Sequence, residues 1–168
     1  MPLTMYSAST PRFVHMLNNL SALLDKAQAH IEARKLDPAA LTTARLFPDM
    51  FHLARQVQVA CDISKGAVAR LGGVDVPKHE DTEQTIEELK ARIAKTVAFI
   101  ESVPQATIDA SADRDITLKL GKQDYTFKGM DYLLKFAQPN FYFHVTTAYN
   151  ILRHNGVELI KKDYVGKF

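Results

Sequence analysis

Apolar residues recur every three or four positions through most of this chain, and every second position in one short stretch near residue 116. The first period marks helices with one buried face; the second marks a half-buried strand. From Thr10 to Arg34 the apolar positions are Phe13, Met16, Leu17, Leu20, Leu23, Leu24, Ala27 and Ile31, which predict a first long helix. Ser9 or Thr10 is placed to cap it. Pro11 takes the first helical position, where a missing N–H costs nothing. Asp37 and Pro38 read as the cap and first turn of a short helix.

Pro48 is expected to open or kink a second long helix. Its stripe is Met50, Leu53, Val57, Ala60, Cys61, Ser64, Ala67, Val68 and Leu71. Gly72 and Gly73 stop it, and Pro77 prevents its resumption. After a polar loop, Asp81 or Thr82 is the expected cap of a third helix. Its stripe is Ile86, Leu89, Ile93, Val97 and Ile100. Glu87 and Glu88 sit favourably near its positive end, and Pro104 closes it.

The period then changes in DITLKLGKQDYTFKG. Ile116, Leu118 and Leu120 alternate with polar residues, as do Tyr125 and Phe127 beyond Gly121 and Lys122, so a β-hairpin is predicted. Met130 to Ala137 reads as a short helix. Pro139 opens the last long one, with Phe141, His144, Val145, Ala148, Ile151 and Leu152, and Asn155 and Gly156 end it. The basic tail ELIKKDYVGKF, with Tyr164 and Phe168, is expected to pack on the body or at a subunit interface. The predicted fold is all-α: a four-helix bundle with a small β-hairpin before the last long helix, one domain over 1–168.

Composition narrows the function classes. A net charge of +2, with lysines and arginines scattered among acids, does not argue for nucleic acid. No apolar segment is long enough to cross a bilayer, and MPLTMYSASTPRF lacks a signal-peptide core. The single cysteine, Cys61, excludes an internal disulfide framework and suits a reducing compartment, so a cytoplasmic protein is expected.

Bundles build sites from side chains that face inward on neighbouring helices. Helix two offers Asp49, His52 and Gln56 along one edge of its stripe. Helix four offers His144, flanked by Thr147 and Tyr149. Helix one offers His15, and His154 lies near the exposed end of helix four. A metal reading would take His52, His144 and Asp49, but no HxxxH, HExxH or ExxH pair occurs. The other reading is two histidines satisfied by hydrogen bonds. Cys61, mid-helix and followed by Asp62, reads as a buried inert thiol. Asp62 and Lys65 are expected to pair on the helix surface, or to line a pocket. Phe141, Tyr142, Phe143 and His144 are four successive rings, each turned by about 100° from the last, so they cannot all face the core. The hairpin is the most economical destination for those left over; a dimer interface comes next.

Three stretches carry a family resemblance: MYSASTPRFVHMLNNLSALLDKAQAH, RLFPDMFHLARQVQVACDISKGAVARLGGVDVP and PNFYFHVTTAYNILRHNGVELIKKDYVG. They resemble an uncharacterised domain-of-unknown-function family within the DinB/YfiT-like, metalloenzyme-type superfamily. The resemblance implies an up-down-down-up bundle, often dimeric. It also implies three histidine metal ligands, one on the second helix and two on the fourth, four residues apart. Metal-bound members of the superfamily include thiol-dependent transferases and isomerases. In this sequence the ligand positions fall on His52, His144 and Ala148, and alanine cannot coordinate. The expectation is therefore a homodimer that binds a small molecule between helices two and four, at Asp49, His52, Gln56, His144 and Tyr149, with no cofactor. The alternative is a divalent-metal hydrolase or thiol transferase holding zinc or nickel through His52, His144 and Asp49.

Overall fold

The first apolar stripe folds as predicted. In a computed structural model, which describes residues 3–167, helix α2 spans Thr10–Arg34 and buries every residue of that stripe. A short turn of helix, α1 (Met5–Ala8), precedes it, closed by a reciprocal capping box between Thr4 and Ser7. Helix α3 (Ala39–Thr42) is the short helix that Asp37 and Pro38 announce. The Asp37 carboxylate accepts from the Ala39 N–H at 2.9 Å.

Helix α4 covers Leu53–Gly72 and so starts five residues later than Pro48 suggests. His52 is extended (φ −72°, ψ 167°) and serves as the N-cap. The segment before it is a turn, with Asp49 exposed. Helix α5 (Ile86–Ser102) is capped by Thr85, not by Asp81 or Thr82. Thr85 and Glu88 form a capping box, the T-x-x-E spacing that is visible in the sequence. Asp81 has another task, described below.

Helix α6 (Gln105–Asp109) leads to the hairpin, β1 (Asp115–Leu120) and β2 (Gln123–Lys128). The register pairs Ile116 with Phe127 and Leu118 with Tyr125. Gly121 takes φ +65°, while Lys122 is not among the positive-φ residues. Positive φ at only the first of two turn residues is the type II′ pattern, which matches the right-handed strand twist. Ile116 and Leu118 are buried, whereas Leu120 and Tyr125 near the tip remain exposed.

The stretch from Met130 to Ala137 is not one short α-helix. After a single turn, α7 (Gly129–Asp131), residues Tyr132–Ala137 form a π-helical turn that runs into α8 (Gln138–His154). The Gln138 N–H reaches back five residues to the Leu133 carbonyl. This widened turn immediately precedes Pro139, which has no N–H to give. Gly156 (φ +86°) follows α8, and α9 (Lys161–Val165) packs on α2. Asn19 Nδ2 donates to the Val165 carbonyl at 2.9 Å, and Lys26 pairs with Asp163. The tail thus packs on the body. Phe168 lies outside the described residues.

Helices α2, α5, α4 and α8 form the bundle in that cyclic order, each packed on the next, with α4 and α8 in extensive contact. Phe13 of α2 and Phe141 of α8 meet edge to face at 4.9 Å and 82°, a geometry that ring quadrupoles favour. Among the described residues no helix is long and apolar enough to cross a membrane.

Candidate functional site

The neighbouring helices α4 and α8 bring Gln56 and His144 together. Gln56 lies one turn into α4 and is buried. Its Nε2 donates to the Phe51 carbonyl at 3.0 Å, which fixes the orientation of the amide. The oxygen Oε1 therefore faces His144, 2.6 Å from Nδ1. An amide oxygen only accepts, so the imidazole carries its proton on Nδ1. Nε2 is left with its lone pair.

Aromatic rings flank this imidazole. Phe51 stacks on it at 6.4 Å and 21°, and Phe143 meets it edge-on at 5.3 Å and 89°. Both phenylalanines are about half exposed, at 49% and 56%. The Arg55 guanidinium lies 5.6 Å above the Phe51 ring. Desolvation and the nearby Arg55 charge together hold the His144 pKa below the ordinary 6.5, so the ring is neutral at pH 7.

The other expected site residues go elsewhere. His52 Nδ1 lies 3.1 Å from the Thr42 carbonyl and 3.3 Å from the Arg55 N–H. One tautomer donates to the first; the other accepts from the second and caps α4. Asp49 is exposed on the preceding turn, so Asp49, His52 and Gln56 do not share a helical edge. Tyr149 packs edge-on against Tyr164 of α9 at 5.9 Å. Five residues along a helix is a rotation of about 140°, which carries it away from His144. His15 bonds the Val165 carbonyl at 2.8 Å, and His154 is exposed.

The donor set does not fit a three-histidine ion. Position 148, where the third histidine would stand, is a fully buried alanine. Among the described residues no three His, Cys, Asp or Glu side chains converge on one point.

The four successive rings separate by face. Phe141 is in the core, Tyr142 leans on it edge-on at 5.5 Å, and His144 turns toward α4. Phe143 faces solvent. The hairpin takes different rings: its Phe127 packs with Tyr132 and Phe136 of the π-helical turn.

A second polar cluster was not anticipated. The Arg92 side chain on α5 is 1% exposed and binds Asp62, Asp81 and Glu83 at 2.9–3.1 Å. It also donates to the Glu80 carbonyl at 2.9 Å. Asp62 additionally takes Lys65 at 2.9 Å, so that pair is partly buried rather than on an open helix face. Both residues line a cleft of about 340 Å³. The sequence did hold a signal, a charged residue inside the α5 stripe between Leu89 and Ile93, opposite the acidic loop HEDTE. Cys61 beside this cluster is fully buried, and burial pushes its thiol up to about 12. It is no nucleophile.

Comparison with known proteins agrees with the fold. Curated proteins give no match. A crystal structure of a DinB family member from Shewanella denitrificans is 44% identical, with a TM-score of 0.90, covering 97% of this chain and 92% of that one. The family described as "Domain of unknown function (DUF1993)" matches residues 5–165. A match over nearly the whole chain, on a bundle that superposes on a DinB family member, places this protein in the DUF1993 family with a DinB-like fold.

Proposed function

We propose that the exposed edge between α4 and α8 binds a small molecule through the lone pair on Nε2 of neutral His144. The ligand brings an O–H, N–H or S–H donor and rests an apolar or planar body against Phe51 and Phe143. The observation that carries this reading is the relay from the Phe51 carbonyl through Gln56 to His144 Nδ1. That relay fixes one tautomer and aims an acceptor outward, between rings that solvent can reach. Tautomer fixation by a partner on the other nitrogen is the usual way a protein prepares an imidazole for a ligand. We place the protein in the cytosol, which suits the buried free thiol of Cys61.

A thermal-shift series tests the proposal. Phenol and indole serve as donor probes; anisole and N-methylindole are their capped counterparts. The donors should raise the melting temperature of the wild type, and the effect should disappear in His144→Ala and with the capped probes. If no donor probe stabilises wild type more than His144→Ala, the proposal is wrong. Near-stoichiometric zinc or nickel in untagged protein, lost in His52→Ala, would favour metal-dependent chemistry instead.

A homodimer built on the same edge is the second reading, favoured by the half-exposed rings of Phe51 and Phe143. Solution mass decides it. A dimer that Phe143→Glu converts to monomer supports this reading; a wild-type monomer at high concentration excludes it.

A further inference from the structure

Arg70, near the C-terminal end of α4, sits against a glycine. A Cβ on Gly66 would lie 2.4 Å from Arg70 Nη1 and 3.5 Å from Cζ. Gly66 is mid-helix, where glycine is unfavourable relative to alanine. Its missing Cβ lets the guanidinium lie against α4. From there Nη1 donates to the hydroxyl of Tyr132 at 3.4 Å. The Tyr132 hydroxyl, on a residue 2% exposed, thus accepts from Arg70 and keeps its own proton to give. Tyr132 starts the π-helical turn, an element that is rare and frequent at functional sites.

These groups line a cleft of about 240 Å³ between α4, the hairpin and the π-helical turn. The apolar wall is Ile63, Leu118, Leu120 and Phe136. Arg70 and Lys119, both on the cleft, form no ion pair among the described residues. Asp62 is the one carboxylate on the wall, and Lys65 and Arg92 already neutralise it. The cleft therefore offers an uncommitted guanidinium and a phenol proton at one end and hydrocarbon along the side.

We propose that this cleft is a second binding site, for a small organic carboxylate with an apolar body. The carboxylate would take the Arg70 fork and the Tyr132 O–H, and the body would lie on Leu118 and Phe136. Guanidinium and carboxylate are matched in geometry as well as charge. The Arg70 fork and the single Tyr132 O–H supply donors for the two oxygens of a carboxylate. The site is separate from His144. Arg70 lies fourteen residues beyond Gln56 on α4, about 21 Å along the axis.

Benzoate is the probe, with benzamide as its neutral isostere and phenyl phosphate as the dianion. Methyl resonances of Ile63, Leu118 and Leu120 are followed in the full-length protein. Saturable benzoate shifts are expected, with affinity weakened about tenfold or more in Arg70→Met. Gly66→Ala should weaken benzoate similarly, because the new methyl displaces the guanidinium, while the melting temperature is kept. That variant decides the matter if Arg70→Met does not fold. His144→Ala should leave benzoate binding unchanged. The proposal is overturned by an absence of saturable shifts, by equal binding of benzamide, by tighter binding of phenyl phosphate, or by full affinity in Gly66→Ala.

Discussion

The Oε1 atom of Gln56 lies 2.6 Å from Nδ1 of His144, and this one hydrogen bond decides which face of the imidazole is available. It also ties α4 to α8 where the bundle would otherwise hold two half-satisfied polar groups. Burial of Gln56 is tolerated because both ends of its amide are bonded.

Gln56→Leu should leave His144 Nδ1 without its acceptor. The expected loss is about 1–2 kcal/mol, the penalty for an unsatisfied partly buried donor. Denaturant unfolding measures it. Histidine ¹⁵N spectra should show protonated Nδ1 in the wild type and a mixed tautomer in the variant. A wild-type ring protonated on Nε2 would refute the relay.

The depressed His144 pKa makes stability depend on pH. The unfolded imidazole, near 6.5, binds a proton more readily than the folded one, so stability rises with pH across the interval between the two values. Acidification from 7 should thus cost stability as pH falls below about 6.5. His79 is depressed too, by burial and then by Lys65, Lys95 and Arg92, and contributes with the same sign. Replacing His144 by Asn should flatten the slope in part. Arg55→Met should raise the His144 pKa in an NMR titration; an unchanged value would remove Arg55 from the account.

Arg92 should be among the costliest charged residues to remove. Arg92→Met leaves Asp62, Asp81 and Glu83 without their shared cation, though Lys65 and Arg55 still pair with Asp62 and Asp81, and is expected to cost about 1–3 kcal/mol. Asp81→Asn should cost less than about 1 kcal/mol, since that carboxylate is 38% exposed. Equal effects would mean that the cluster is not organised around the arginine.

Neighbouring rings on α8 should differ sharply. Phe141→Ala removes a fully buried ring from contact with Phe13 and should cost about 3–5 kcal/mol. Phe143→Ala should fall within about 0.5 kcal/mol of the wild type. Urea melts of the two variants are sufficient.

Cys61 should resist thiol reagents in the native protein, because it is fully buried and its thiol is pushed up to about 12. Labelling at the rate of a free exposed cysteine would contradict the packing of α4 against α5.

What the sequence determined by itself is the four long helices and the hairpin. Apolar stripes at helical spacing bury only one way, so α2, α5 and α8 could be placed from Phe13, Leu89 and Val145 and their repeats. The change of period at Ile116 located the hairpin, and Gly121 located its turn. Chain terminators at Gly73 and Gly156 acted locally and could be read locally.

Tertiary structure decided which polar groups meet. Histidines 52 and 144 were the obvious pair, yet the turn before Leu53 assigns His52 to capping and sets Gln56, one turn deeper, opposite His144. A helix start is fixed by cap chemistry and by what the preceding turn can pack, and an error of one turn there rotates the choice of partner. Arg92 with its three carboxylates, and Arg70 laid over Gly66 toward Tyr132, join segments distant in the chain. Periodicity reports which face of a helix is inward. It carries no information on which residue of a neighbouring helix stands at the same height, and that height is where the chemistry of this bundle is set.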